Sequence, residues 1–146
     1  MADVTVKALD DFEAIFGGGM RRVRAGLGVS SFGIQVIELP PNFTLYPDHD
    51  HSHDEQEEVY TALSGTATLL VGDETYVLEP GVFARIGPGQ RRKLVTAEGS
   101  VQLLVLGGVP GQVYEPPAWT EEGGVLPPMD KEKVHSASMD KEKVHP

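Results

Sequence analysis

The chain has 146 residues, enough for one compact domain with a core of its own. Its 22 acidic residues outnumber 12 basic ones, and the net charge of −10 argues against nucleic acid or an anionic membrane as partner. With no cysteine, disulfides, thiolate metal ligands and a cysteine nucleophile are all excluded.

The opening Met1-Ala2-Asp3-Val4-Thr5-Val6-Lys7 lacks the basic-then-apolar pattern of a secretory signal, and no apolar run reaches the length of a membrane span. A cytoplasmic location with no membrane partner is therefore expected. Short apolar runs between many turn residues, Gly 17 and Pro 11, favour an all-β sandwich or barrel.

In chain order, 9–16 reads as a short helix capped by Asp10 or Asp11, with Phe12, Ile15 and Phe16 on one face and Gly17-Gly18-Gly19 ending it. Two strands follow over 21–28 and 32–39, joined around Ser30-Ser31 and stopped by Pro40-Pro41. After 43–47 comes His49-Asp50-His51-Ser52-His53, then a strand over 57–63. A hairpin pairs 66–71 with 74–78 around Gly72-Asp73. Strands over 82–86, 91–95 and 101–106 complete a set of about nine.

Beyond Gly107 the Gly- and Pro-rich sequence cannot support regular strands, although Tyr114 and Trp119 could pin it to the barrel exterior. Met-Asp-Lys-Glu-Lys-Val-His then occurs twice, at 129–135 and 139–145, too short a repeat for a solenoid and too poor in apolar residues to pack, so a flexible tail is expected. The organisation is an arm over 1–20, a barrel domain over 21–120 and a tail over 121–146.

Three of the five histidines fall at alternate positions, His49, His51 and His53. On an extended strand they would share one face, with Glu57 and Glu58 close behind. Imidazoles and a carboxylate are the donors a divalent transition ion asks for. On a straight strand, though, His49 and His53 would lie roughly 13 Å apart at about 3.3 Å per residue, so a pair is expected to ligate unless the chain bends.

His51-Ser52-His53, four residues, Glu58, six residues and Gly65 resemble the first motif of the cupin superfamily. Gly81, five residues and Gly87-Pro88-Gly89 resemble the second, with Gly87 at the usual proline position, Arg92 at the histidine and Thr96 at the asparagine. Fifteen residues separate Gly65 from Gly81, as in small single-domain bacterial cupins. The resemblance implies an all-β double-stranded β-helix, or jelly-roll barrel, that pairs as a homodimer and takes a small-molecule ligand or substrate.

It also implies one divalent transition metal (Fe, Mn, Ni, Co or Zn) on His51, His53 and Glu58. In a second register His49 and His51 form the pair, with a longer loop before Glu58. Arg92 cannot ligate a cation. If Leu94 packs inward, strand alternation turns Arg92 inward too, where it could grip an anionic substrate or fill the site by pairing with Glu58; alternatively it faces solvent with Arg91 and Lys93. Tyr60, two residues past Glu58 on the same face, is a candidate pocket wall or hydrogen-bond donor, or else a core aromatic with a satisfied hydroxyl. Two functions follow from the resemblance. One is a metal-dependent enzyme on a small anionic or enolisable molecule, dioxygenase- or isomerase-like. The other is a non-catalytic binding or sensing module with a degenerate metal site.

Overall fold

The computed structural model describes residues 2–126. The repeated segment at 129–145, with His135 and His145, lies outside the described residues.

Among the described residues nine strands form two antiparallel sheets. The larger has the order β1 (Ala14–Ile15), β2 (Met20–Arg21), β3 (Gly33–Leu39), β9 (Val101–Gly108), β4 (Glu57–Gly65) and β7 (Phe83–Ile86). The smaller has the order β6 (Glu74–Leu78), β5 (Ala67–Val71) and β8 (Lys93–Val95). The all-β class expected from the turns therefore holds, with little helix. No helix among the described residues is long and apolar enough to cross a membrane.

Strand alternation sets the inner faces. Val101, Leu103 and Val105 of β9 are buried, as are Tyr60 and Ala62 of β4, Ile37 and Leu39 of β3, Leu69 of β5 and Leu94 of β8. The outer side of β3 is covered by a second, smaller cluster in which Val36 meets Phe12 and Val23.

The N-terminal expectations need correction. Residues 9–16 hold only a 3₁₀ turn at Leu9–Asp11 before β1 begins. Phe16, Gly17 and Gly18 then take left-handed φ of 54°, 65° and 99°, which folds β1 back onto β2 and is incompatible with a helix. The expected strand over 21–28 is instead the end of β2 followed by α1 (Val23–Leu27). Gly28, at φ 80°, closes that helix by donating to the carbonyls of Arg24 and Ala25.

The segment after β9 is tied to the N-terminal elements. Its 3₁₀ turn, Ala118–Thr120, is tied down by buried Arg22, whose Nη2 donates to the carbonyls of Trp119 (2.5 Å) and Gly124 (2.8 Å) while Nη1 meets Glu13 at 2.7 Å. Arg24, also buried, pairs with Glu121 at 2.5 Å. Trp119 packs edge-on to Phe16, and Tyr114 is buried.

Candidate metal centre

Glu58 and Tyr60 project to the same inner face of β4. His49 reaches them from a neighbouring strand-like segment. It exchanges both backbone hydrogen bonds with Arg92 (3.0 and 2.8 Å), and residues paired in this way put their side chains on one side. His51 is fixed by its N–H to the Pro88 carbonyl at 2.8 Å, within the Gly87-Pro88-Gly89 turn. The chain then turns sharply, with the amides of Asp54 and Glu55 both donating to the His51 carbonyl.

That turn decides which imidazoles meet. Donor atoms of His49, His51 and Glu58 all lie within 4.8 Å of one another. His53 is carried to the rim, its side chain 74% exposed, where it forms a second, outer group with His51 and Asp54. The structure thus brings together the residues of the second register.

The inner group fits an ion. His51 Nε2 stands 3.3 Å from Glu58 Oε1, close to the ~3.4 Å edge of a tetrahedron with bonds of about 2.1 Å. His49 Nδ1 is 3.0 Å from the Pro47 carbonyl, which can only accept, so Nδ1 carries the proton and Nε2 keeps its lone pair. His51 Nδ1 is likewise held by the Asp54 carboxylate at 3.0 Å. Outer acceptors that fix the tautomer are what ligating histidines use.

Charge reinforces this arrangement. Burial alone would push the Glu58 carboxyl up, but the hydrogen bond and charge of His51, the charge of Arg92 and the Tyr60 hydroxyl (3.0 Å) hold it below the usual carboxylate range. Burial would lower His51, but Glu58 and then Asp54 outweigh it and raise its pKa. For His49 burial wins, and its pKa is lowered. Burial raises the Tyr46 and Tyr60 phenols far above their ordinary value, so each stays protonated.

Arg92 is fully buried, as is Leu94, which rules out the solvent-facing alternative. Its Nη2 donates to the Gly87 carbonyl at 3.1 Å and stands 4.0 Å from Glu58 Oε1, while Nε and Nη1 have no partner among the described residues. It is not among the residues that line the cavity the ligand group faces. At that distance the pair with Glu58 is loose. Thr96, at the motif's asparagine position, is a structural staple: its hydroxyl accepts from the Phe43 amide and donates to the Pro40 carbonyl.

The cavity has a volume of about 360 Å³. Gln35 lines it, whereas Gln102 bonds Glu38 elsewhere and Arg85 pairs with Glu57 at the surface. Tyr46, Asp54, Tyr114 and Trp119 are parts of the site or its wall that the sequence did not mark. Only Asp54, three residues past His51 and directly after His53, carried a local signal.

Residues 35–107, half of the chain, match the model of the cupin domain family. The chain belongs to that family. This cupin is similar in structure to a cupin protein from Bacteroides fragilis, at 20% identity and a TM-score of 0.63 over 87% of this chain and 99% of that one. It is also similar to a sugar phosphate isomerase from the cupin superfamily of Silicibacter pomeroyi, at 22% identity and a TM-score of 0.61 over 71% and 75% of the two chains. Both likenesses show the fold. The DMSP lyase DddQ from Ruegeria pomeroyi shares 26% identity at a TM-score of 0.50, over 63% of this chain and 45% of the lyase. No curated protein matches the chain.

Proposed function

We propose that this cupin holds one divalent transition ion on His49, His51 and Glu58 and is an enzyme acting on a small, enolisable molecule bound beside that ion. The observation that carries the reading is the convergence of two imidazoles with outward-tied Nδ1 atoms and one carboxylate on the wall of a small-molecule-sized cavity. The ion would supply Lewis acidity toward an oxygen donor of the substrate. Tyr60 orients Glu58 through its hydroxyl. The likeness to a lyase supports an enzyme, and the reaction is isomerisation or oxygen-dependent cleavage, separable by assays under air and under nitrogen. Homodimerisation belongs to this reading and is supported by apolar Phe83, Val77 and Tyr76, which are exposed on β6 and β7.

One observation favours a second reading, a binding module with a vestigial site: a permanent cation, Arg92, sits 4.0 Å from Glu58 where a fourth ligand would stand. Metal analysis of stripped and reconstituted full-length protein separates the two. One ion per chain is expected, lost in His49→Ala, His51→Ala and Glu58→Gln but retained in His53→Ala. Protein that takes up no metal would establish the module, and loss in His53→Ala with retention in His49→Ala would establish the other register.

A further inference from the structure

We infer that the ligand of this cavity is a small, uncharged oxygen chelator with an apolar portion, and that phosphorylated molecules are excluded. The inference rests on the metal-centre reading above and names the substrate class for it.

The wall carries three carboxylates, Asp50, Asp54 and Glu58, and among the described residues no lysine or arginine. The nearby arginines do not reach the wall. Arg92 is buried off the wall with one nitrogen on the Gly87 carbonyl. Arg22 and Arg24 are buried against Glu13, Glu121 and main-chain carbonyls. Arg91 reaches outward to Asp48.

A divalent cation on the three ligands, with Arg92 4.0 Å from Glu58, would offset the three carboxylates but would leave no lysine or arginine on the wall for a phosphate to bond. Phosphate sites rely on guanidinium, ammonium or clustered backbone donors to offset desolvation of a dianion. A phosphate brought into this cavity would meet carboxylates in a setting that screens poorly. The net charge of −10 adds to the repulsion on approach.

What the wall offers instead is neutral. The Tyr114 hydroxyl and the Gln35 side-chain NH2, whose oxygen already accepts from the Val23 amide, can bond hydroxyl or carbonyl oxygens, whereas Gln56 donates to Asp54. Met20, Ile37, Val105 and Trp119 give it an apolar area suited to a hydrocarbon or aromatic group. The volume of about 360 Å³ is near the lower end of small-molecule sites.

The test uses three probes that share one α-hydroxyketone chelating end and differ in the remainder: 2-hydroxyacetophenone, hydroxyacetone and dihydroxyacetone phosphate. Full-length protein is loaded with zinc, its stoichiometry is measured, and each probe is titrated by calorimetry. Fluorescence of Trp119, the chain's single tryptophan, serves as a second readout. The expected order is 2-hydroxyacetophenone tightest and dihydroxyacetone phosphate weakest, with at least a tenfold gap between those two and a Trp119 signal for the aromatic probe. Equal or tighter binding of the phosphate, or no binding of 2-hydroxyacetophenone to zinc-loaded protein, overturns the inference. Failure to load zinc shows at the stoichiometry step and refutes the metal reading itself, and this inference with it.

Discussion

The two inner histidines are set to opposite protonation tendencies, and that has a consequence for ion binding. His49 is held low by burial, so near neutrality it offers a lone pair without first losing a proton. His51 is raised by Glu58 and Asp54, so its proton must leave before Nε2 can ligate. Metal affinity is therefore expected to fall with acidification through a midpoint above the ordinary imidazole value of about 6.5. Asp54→Asn removes one raising charge and should move that midpoint to lower pH; calorimetric titrations across pH check this, and an unmoved midpoint refutes the assignment to His51. Arg92 acts in the other direction. A guanidinium this near Glu58 repels a cation bound there, so Arg92→His, which also adds a donor, is expected to tighten metal binding at least tenfold in competition with a chelating dye. Unchanged affinity would show that Arg92 has no electrostatic hold on the site. Spacing marked His51 and Glu58 because both registers share them. It could not choose between His49 and His53, since that depends on where the strand ends. The deciding turn is made by backbone bonds from Asp54 and Glu55 to the His51 carbonyl, with Glu55 at φ 60°, and neither residue announces such a turn.

At the level of elements, the cavity owes part of its wall to a segment with no regular pairing of its own. Residues 114–124 stay in place because Arg22 and Arg24, on the N-terminal side of α1 and within it, reach across to them. Arg22→Ala removes two bonds from a buried guanidinium to carbonyls, and at about 1.5–3 kcal/mol for each charge-assisted bond a loss of roughly 2–4 kcal/mol is expected after partial resolvation. Chemical denaturation measures it, and Trp119 fluorescence should red-shift already in the native baseline as the segment loosens. A native baseline unchanged from wild type would mean that the segment is held by apolar packing instead. The barrel strands were readable because glycine and proline punctuate them and their inner faces alternate. The N-terminal elements were not, for two physical reasons. An eight-residue amphipathic stretch forms a weak helix, and pairing β1 and β2 onto β3 outcompetes it. In 23–28 the informative residues were the glycines: Gly28 ends a helix, and Gly26 is small because Phe12 lies against it.

For the whole molecule, the family and the all-β class were legible from motif spacing and turn density. The position of the C-terminal segment was not, because it follows from long-range bonds between Arg22 and residues about a hundred positions away. The proposed centre also links parts that are distant in the chain. His49 and His51 arrive on the segment paired with Arg92 and the Gly87-Pro88-Gly89 turn, whereas Glu58 belongs to β4 of the larger sheet. An ion bound to all three therefore ties the two halves of the barrel together, and only the folded chain presents that set. Binding confined to the native state stabilises it by about 2.7 kcal/mol at a ligand concentration 100 times Kd. For a chain of this length, each kcal/mol moves Tm by about 2–4 °C. Metal-stripped protein is thus expected to gain roughly 5–10 °C when zinc is supplied at that excess, with no gain in His51→Ala and nearly the full gain in His53→Ala. Thermal unfolding followed by circular dichroism decides it. An equal gain in His51→Ala would place the ion elsewhere on this acidic surface, and the three-ligand centre would then be wrong.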